Sequence, residues 1–336
     1  MVAAGTGGGS PPDGAVTATV RGAAPMTRRE VWITLLLYPG HTLPTAAAPV
    51  LVAAGAAAHD GVFAAAPVLL GFLASWLIHL AGVFTDNLVL ITKHADVPEH
   101  PELLEALHSG ALSARGLTIA IVACLAGAAA LAPLLAPLIG WRLVIALGVV
   151  GVAASLGYSA GPLPYTRLGI ADIVFFAMFA VVAVGGTYAA QAASATGVAP
   201  ATVRASFDLV PRYVLVAGVG VGALVTNVLL IDEIRDVAWD RRKGWRSSAV
   251  RLGRRWARVE LWAFSAVAYA VLLFLWGANR SRVWLLLPLL TAPQAYRVAL
   301  AVSRSDGFGD LFPMTPRASR LALAYSALLA IGLALD

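Results

Sequence analysis

The stretch "LLIDEIRDVAWDRRKGWRSSAVRLG", residues 229–253, places acids at regular intervals in a chain that is otherwise mostly apolar. Asp232, Asp236 and Asp240 are four residues apart, so on a continuous helix they project from one face. Three stacked carboxylates repel one another and need a cation. Two interpretations are open: the acids pair with neighbouring arginines on a solvated helix, or they hold Mg²⁺ that is shared with phosphate oxygens.

The composition is that of a membrane protein. Of 336 residues, 59% are hydrophobic and only 12% are charged, whereas soluble domains are roughly one quarter charged. Apolar runs long enough to cross a hydrocarbon core of about 30 Å recur along the chain, without the alternation of barrel strands. The sequence therefore predicts an all-α, multi-pass protein of the cell membrane, embedded in the lipid bilayer.

Hydropathy predicts about nine transmembrane helices in one bundle, with approximate bounds of 31–57, 62–91, 114–136, 139–158, 168–190, 209–231, 257–277, 282–302 and 317–335. Residues 1–28 are rich in Gly, Ala and Pro and lack an apolar run of signal-peptide length. We expect them to form a disordered cytoplasmic tail. Residues 29–336 are predicted to form a single transmembrane domain.

The predicted topology places loop 232–256 on the same side as the tail. This loop carries eight basic residues, and the positive-inside rule therefore assigns it to the cytoplasm. A site built on this loop faces the cytoplasm in this topology. The formal net charge of +6 is explained by the topology, so no nucleic-acid partner is expected.

A second polar patch lies in "HLAGVFTDNLVLITKHAD", residues 79–96. His79 and Asp86 are seven residues apart and share a helix face. Ionisable groups inside a membrane are costly and usually face an aqueous cavity. In the predicted topology this patch lies at the same end as the acids of 229–253, where Lys93 and Lys243 are also found. The two patches together would form a site for Mg²⁺ and a diphosphate.

The residues "DEIRDVAWDRRKGWRSSAVRLG" resemble the second Asp-rich motif of the UbiA superfamily of intramembrane prenyltransferases. Within that superfamily the chain is most similar to the 1,4-dihydroxy-2-naphthoate polyprenyltransferases of the menaquinone pathway. The segments that carry this similarity are "HTLPTAAAPVLVA", "HSGALSAR", "YSAGPLPYTRLGIADIVFF" and "VAVGGTYAAQ". The resemblance implies a UbiA-like bundle that ionises a prenyl diphosphate with the help of Mg²⁺.

The resemblance also implies a role for individual residues. The implied metal ligands are Asp86, Asn87, Asp96, Asp232, Asp236 and Asp240. The catalytic set is Asp86, Asn87, Asp96, Asp236 and Asp240. The implied diphosphate-binding residues are Lys93, Arg235 and Lys243. A cavity that shields the prenyl cation is expected to be lined by His79, Leu90, Tyr158 and Phe176.

The first motif departs from the pattern of this branch. Its Asn-Asp pair is inverted here as Asp86-Asn87, and Leu90 stands where the branch has the middle acid. UbiA-type terpene cyclases also lack that acid. Two functions therefore stay open: transfer of a prenyl group to an aromatic or quinoid acceptor, and cyclisation of the prenyl chain. A transporter is a remote third interpretation, because polar patches inside spans also mark permeation paths.

Overall fold

The computed structural model describes residues 27, 29–32, 42–93, 106–198, 200, 202–278 and 283–335. Within these residues the secondary structure is helical and contains no strand. The long helices are α1 (Thr42–His59), α2 (Ala65–Lys93), α3 (Ala114–Ile139), α4 (Trp141–Leu156), α5 (Ala171–Thr196), α6 (Arg212–Arg235), α7 (Arg254–Ala278), α8 (Val283–Arg304) and α9 (Met314–Leu335). The predicted all-α bundle is confirmed.

The number of membrane spans is less clear-cut than the positions of the helices. Seven helical segments are long and apolar enough to cross a membrane, namely α2, α3, α5, α6, α7, α8 and the segment Phe308–Leu335 that contains α9. The apolar helices α1 and α4 are shorter. Each predicted span has a helix at its place, but the count of nine spans stays a prediction. Residues 1–26 and 28 of the predicted tail, and residues 33–41 of the first predicted span, lie outside the described residues.

The helix α6 forms the centre of the bundle. In its most apolar window 83% of the residues are buried, compared with 22% in α2 and in α3. It packs against α7, α9, α5 and α1. A helix that is apolar on all sides is stable only when other helices surround it, and this explains its central place.

Short connections make consecutive helices antiparallel. Gly140 alone joins α3 to α4, and its φ of 83° is a conformation that side chains with a Cβ atom rarely adopt. As a result, the ends of α2, α4 and α6 lie together with the starts of α3, α5 and α7. We call this the site end, because it holds both polar patches. The opposite end holds His59 and Ala278.

The α5–α6 interface is unusually close. The middle of α5, Met178–Ala183, is π-helical, and α6 packs along it. A Cβ atom added at Gly218 would overlap the carbonyl oxygen of Ala180, and one added at Gly222 would lie 2.5 Å from the Ala180 Cβ. The two glycines therefore let the central helix approach α5 at the point where the π-helix widens the backbone.

Replacing Gly218 with Ala is expected to destabilise the bundle by about 1–3 kcal/mol, because the added methyl group overpacks a closed interface. Gly148→Ala is the matched control, since Gly148 also lies inside a long helix and its added Cβ meets no described atom within 4 Å. The measurement is the thermal unfolding midpoint of each detergent-purified variant. Equal midpoints for the two variants would contradict the close contact between α5 and α6.

Candidate active site

The acids of the 229–253 stretch lie where α6 ends. The helix stops at Arg235, and a short helix, Val237–Lys243, follows after Asp236, whose φ and ψ are −98° and 12°. The single continuous helix on which the acids were expected is therefore interrupted. The Asp236 N–H still donates to the Asp232 carbonyl oxygen and the Asp240 N–H to the Asp236 carbonyl oxygen, both at 2.8 Å. The three acids remain one turn apart.

Arg235 neutralises two of these acids. Its Nη1 lies 2.6 Å from Oδ1 of Asp232, and its Nε and Nη2 donate to the two carboxylate oxygens of Asp236 at 2.6 and 2.5 Å. The guanidinium carbon lies 5.4 and 5.6 Å from the ring centres of Phe308 and Phe312, and the side chain is only 7% exposed. This buried arginine fixes the orientation of Asp236. The predicted binding of diphosphate by Arg235 stays a prediction.

Asp240 is a buried acid with a lysine beside it. The residue is 4% exposed, its Oδ1 lies 3.6 Å from Nζ of Lys243, and its Oδ2 accepts a hydrogen bond from Oγ of Ser247 at 3.0 Å. Burial raises the pKa of Asp240 to about 7, the Lys243 ammonium lowers it, and the Asp236 charge raises it further. Nζ of Lys243 also lies 3.7 Å from the ring centre of Trp245. Asp240 is thus a carboxylate that gains from a further cation.

Tyr158 connects the two polar patches. Its ring contacts the rings of Tyr165 and Trp245, with centres 5.5 and 5.8 Å away. Burial raises the pKa of Tyr158 well above its ordinary value, and the negative charges of Asp86 and Asp240 raise it further. Charges act more strongly in a protein interior than in water because the dielectric constant is lower. Acids from α2 and from the segment after α6 therefore both influence one phenol at the site end.

The described part of the 79–96 patch lies in the last turns of α2. Asn87 donates from Nδ2 to the Val83 carbonyl oxygen at 2.8 Å, within its own helix. Lys93 is exposed at the helix end. Leu90 is half-buried and packs against an apolar cluster that includes Phe84. Where the branch has an acid, this chain therefore makes an apolar contact. Asp96 lies outside the described residues.

Of the predicted cavity residues, His79 lies deeper in the bundle than Asp86 along α2, whereas Leu90 lies one turn nearer the site end. The His79 ring is half-buried and meets the Phe179 ring edge-on, with centres 6.4 Å apart. Phe176 stacks on Phe264 of α7, with centres 5.7 Å apart. Aromatic residues of α5 thus contact both α2 and α7. That these residues line a prenyl cavity stays a prediction.

Sequence reasoning missed two buried acids of the site end. Glu233 is 5% exposed and lies inside the quoted 229–253 stretch, while Asp172 is 8% exposed and begins the apolar run of α5. The signal was an acid next to a long apolar segment, which marks a functional group in a membrane protein. The four-residue spacing singled out the neighbouring aspartates, and Glu233 does not follow that spacing.

The donor atoms at the site end suit Mg²⁺. Among the described residues, no group of three or more His, Cys, Asp or Glu side chains is placed to hold a metal alone. The charges of Asp86 and Asp240 nevertheless both raise the pKa of Tyr158, and Asp240 is buried. Mg²⁺ prefers such hard oxygen ligands and is usually bound by one or two carboxylates together with substrate phosphates and water. The residues therefore fit a metal that binds together with a phosphorylated substrate.

Arg235→Gln is expected to destabilise the protein by about 2–3 kcal/mol, because it removes the counter-ion that two partly buried carboxylates share. Asp306→Asn is the control, since Asp306 pairs with Arg258 at 2.6 Å but is 65% exposed, and such a pair is worth at most about 1 kcal/mol. Thermal unfolding in detergent measures both effects. Similar midpoints for the two variants would contradict the structural role of Arg235.

Comparisons with known proteins identify the family and the fold of the chain. The model of the UbiA prenyltransferase family matches residues 46–307. The 1,4-dihydroxy-2-naphthoate octaprenyltransferase of Escherichia coli (strain K12) is 28% identical over 317 residues, which cover 93% of this chain and 97% of that protein. The apo structure of a UbiA homolog from Aeropyrum pernix K1 has a TM-score of 0.60 and 20% identity, covering 88% of this chain and 98% of that one. A UbiA homolog from Archaeoglobus fulgidus bound to DMAPP and Mg²⁺ has a TM-score of 0.53 and 18% identity, and the match covers 89% of this chain and 99% of that one. The resemblance seen in the motifs is confirmed: the chain belongs to the UbiA prenyltransferase family of membrane enzymes.

Proposed function

We propose that this enzyme ionises a prenyl diphosphate with the help of Mg²⁺ and transfers the prenyl group to an aromatic or quinoid acceptor. The observation that carries this proposal is the meeting of α4 with the segment after α6 at Tyr158, whose ring contacts that of Trp245 and whose pKa is raised by both Asp86 and Asp240. Two acids from separate helices, placed at the edge of an apolar bundle, suit a ligand with a strongly charged head and a hydrocarbon tail. A prenyl diphosphate has both.

The metal ligands in this proposal come from both motifs. Asp86 and Asn87 contribute oxygen atoms from α2, and Asp236 and Asp240 contribute theirs from the segment after α6. The remaining candidates are Asp96 and Asp232. Bound Mg²⁺ supplies charge neutralisation that makes diphosphate a better leaving group.

Basic side chains stabilise the charge that develops on the departing diphosphate. Lys243 is placed for this role beside Asp240, and Lys93 lies at the end of the helix that carries Asp86. Arg235 keeps Asp236 in a fixed orientation through two hydrogen bonds. Groups that are oriented before the reaction stabilise a transition state without further reorganisation.

The apolar interior protects the allylic cation from water. The prenyl chain extends from the acids towards His79 and Phe176, with Leu90 and Tyr158 near the level of the carboxylates. Aromatic faces attract a cation and helices exclude solvent, so the cation survives until a nucleophilic carbon reaches it. The E. coli relative is named for 1,4-dihydroxy-2-naphthoate, and this name supports an aromatic acceptor for the present enzyme.

Cyclisation is the second candidate function. It is favoured by one observation, the packing of Leu90 into an apolar cluster at the position of the missing acid. With fewer charges in the first motif, the ionised chain has an apolar wall against which it can fold. The product therefore distinguishes the two candidates, while release of diphosphate is common to both. Transport, the remote third candidate, requires no such release.

The site end is proposed to face the cytoplasm. The loop that follows α6 carries most of the arginines near the site, and basic residues accumulate on the cytoplasmic side of membranes. Water-soluble diphosphate would then be released into the cytoplasm. The prenyl chain would enter from the bilayer.

Purified protein, supplied with prenyl diphosphates of several lengths and Mg²⁺, is expected to release diphosphate and to prenylate an aromatic acceptor such as 1,4-dihydroxy-2-naphthoate. Mass spectrometry identifies the products in reactions with and without the acceptor. A cyclic hydrocarbon formed equally well without acceptor would establish the cyclase instead. Failure to release diphosphate under any of these conditions would exclude both enzymes and leave transport.

Asp236→Asn is expected to slow diphosphate release about a hundredfold or more, which corresponds to several kcal/mol in the transition state. The substitution keeps the shape of the side chain and removes the charge that faces the metal. Asp306→Asn serves as the control and should release diphosphate at the wild-type rate. A folded Asp236→Asn protein with wild-type turnover would mean that Asp236 serves only as the partner of Arg235.

A further inference from the structure

Glu233 has no role in the proposed reaction, although it lies between Asp232 and Asp236 in the sequence. It is 5% exposed, in the last turn of the central helix α6. A buried acid in a membrane protein is costly and is rarely retained without a task. Its neighbours in the structure indicate that task.

The carboxylate of Glu233 accepts a main-chain hydrogen bond. The N–H of Ser248 donates to Oε2 of Glu233 at 2.9 Å, and this N–H begins the short helix Ser248–Arg251. Oγ of Ser248 donates to Oε2 of Glu260 at 2.6 Å. Glu233 belongs to the last turn of α6, and Glu260 belongs to α7. The start of this short helix is therefore fixed by acids from two long helices.

The residue before Ser248 connects this network to the metal site. Ser247 donates from Oγ to Oδ2 of Asp240 at 3.0 Å. The N–H of Arg246 donates to the carbonyl oxygen of Thr166 at 2.9 Å. The loop between Asp240 and Ser248 is thus held at Thr166 and at Glu233, and Ser247, which lies between these two points, holds the Asp240 carboxylate.

We propose that Glu233 is a positioning residue for Asp240. It fixes the main chain at Ser248, and through the hydroxyl of Ser247 it holds the Asp240 carboxylate in the orientation that binds the metal and the diphosphate. This inference rests on the proposed function, in which Asp240 is a metal ligand. Partners that orient ligands are nearly as important as the ligands themselves, and their loss typically costs 10–100-fold in metal affinity or activity.

A direct metal-binding role for Glu233 is less consistent with the contacts. Its Oε2 accepts the Ser248 N–H, so this oxygen already faces the start of the short helix Ser248–Arg251. A residue next to Asp232 on a helix points about 100° away from it. Glu233 therefore supports the acids from another side of the helix.

The first test compares Glu233→Ala with Glu233→Gln. The amide oxygen of Gln still accepts the Ser248 N–H, so the KM for Mg²⁺ in diphosphate release should stay close to that of wild type. Glu233→Ala should raise this KM about tenfold or more. Ser247→Ala should raise it similarly, and the double variant should resemble Ser247→Ala alone, because both residues act through Asp240.

A second pair of variants isolates the hydrogen bond itself and does not require Glu233→Ala to fold. Ser248→Pro removes the donating N–H at the first position of a short helix, where proline is tolerated. Ser247, with φ −54° and ψ 160°, already has the conformation that precedes proline. Ser248→Ala keeps the N–H and loses only the hydroxyl. We expect the KM for Mg²⁺ to rise in Ser248→Pro well above its value in Ser248→Ala.

A binding measurement separates this inference from the proposed function. The probe is the rise in thermal unfolding midpoint caused by Mg²⁺ with inorganic diphosphate, recorded for wild type and each variant. Asp60→Ala is the control for general destabilisation, since Asp60 lies at the opposite end and accepts hydrogen bonds from Tyr188 and Tyr213 at 2.5 and 2.7 Å. It should lower the midpoint without changing the Mg²⁺ dependence.

The outcomes are distinct. A wild-type shift that weakens in Glu233→Ala and Ser248→Pro supports positioning, and it does so even if no prenyl diphosphate is consumed and the proposed function fails. The same Mg²⁺ dependence in wild type, Glu233→Ala and Ser248→Pro overturns the positioning role while leaving the proposed function intact. A wild type without any Mg²⁺-dependent shift overturns the metal site and the positioning role together.

Discussion

The burial of acids at one end of an apolar bundle is the constraint on which the rest of this structure depends. A carboxylate that leaves water must gain a cation or hydrogen bonds, or it destabilises the fold. Arg235 forms ion pairs with Asp232 and Asp236, and Lys243 forms one with Asp240. A main-chain N–H donates a hydrogen bond to Glu233. Each acid is thereby held in one orientation. The same interactions that make the acids tolerable also prepare them to bind a metal with a charged substrate.

The central helix transmits this constraint to the rest of the bundle. Its glycines allow close contact with the π-helical part of α5, and its last turn carries Asp232 and Glu233 into the site. A shift of α6 along its axis would move both acids relative to Asp86. Close packing in the apolar core therefore determines the spacing of charges at its edge, and this links the stability of the bundle to the chemistry proposed for it.

The site is asymmetric between its two motifs. The segment after α6 is tied down by Arg235, Lys243 and the loop to Ser248, whereas the end of α2 offers Asp86, Asn87 and an apolar contact at Leu90. Among the described residues, most of the fixed negative charge therefore belongs to one side of the site. An ionised prenyl chain would meet more hydrocarbon at the α2 side. The residues of α2 therefore bear on whether the product is a cyclic hydrocarbon or a prenylated acceptor.

The sequence by itself determined the helical class, the approximate place of every long helix and both polar patches. Hydropathy and helical spacing are local properties, so they can be read from the sequence without the tertiary contacts. The motif residues also sufficed to recognise the family.

The break at Asp236 could not be read from the regular spacing of the aspartates. Only the tertiary structure decided which groups neutralise which acids, as with Arg235 between Asp232 and Asp236. It also decided that Glu233 and Glu260 meet at Ser248, because these residues lie apart in the chain and come together only when α6 and α7 pack.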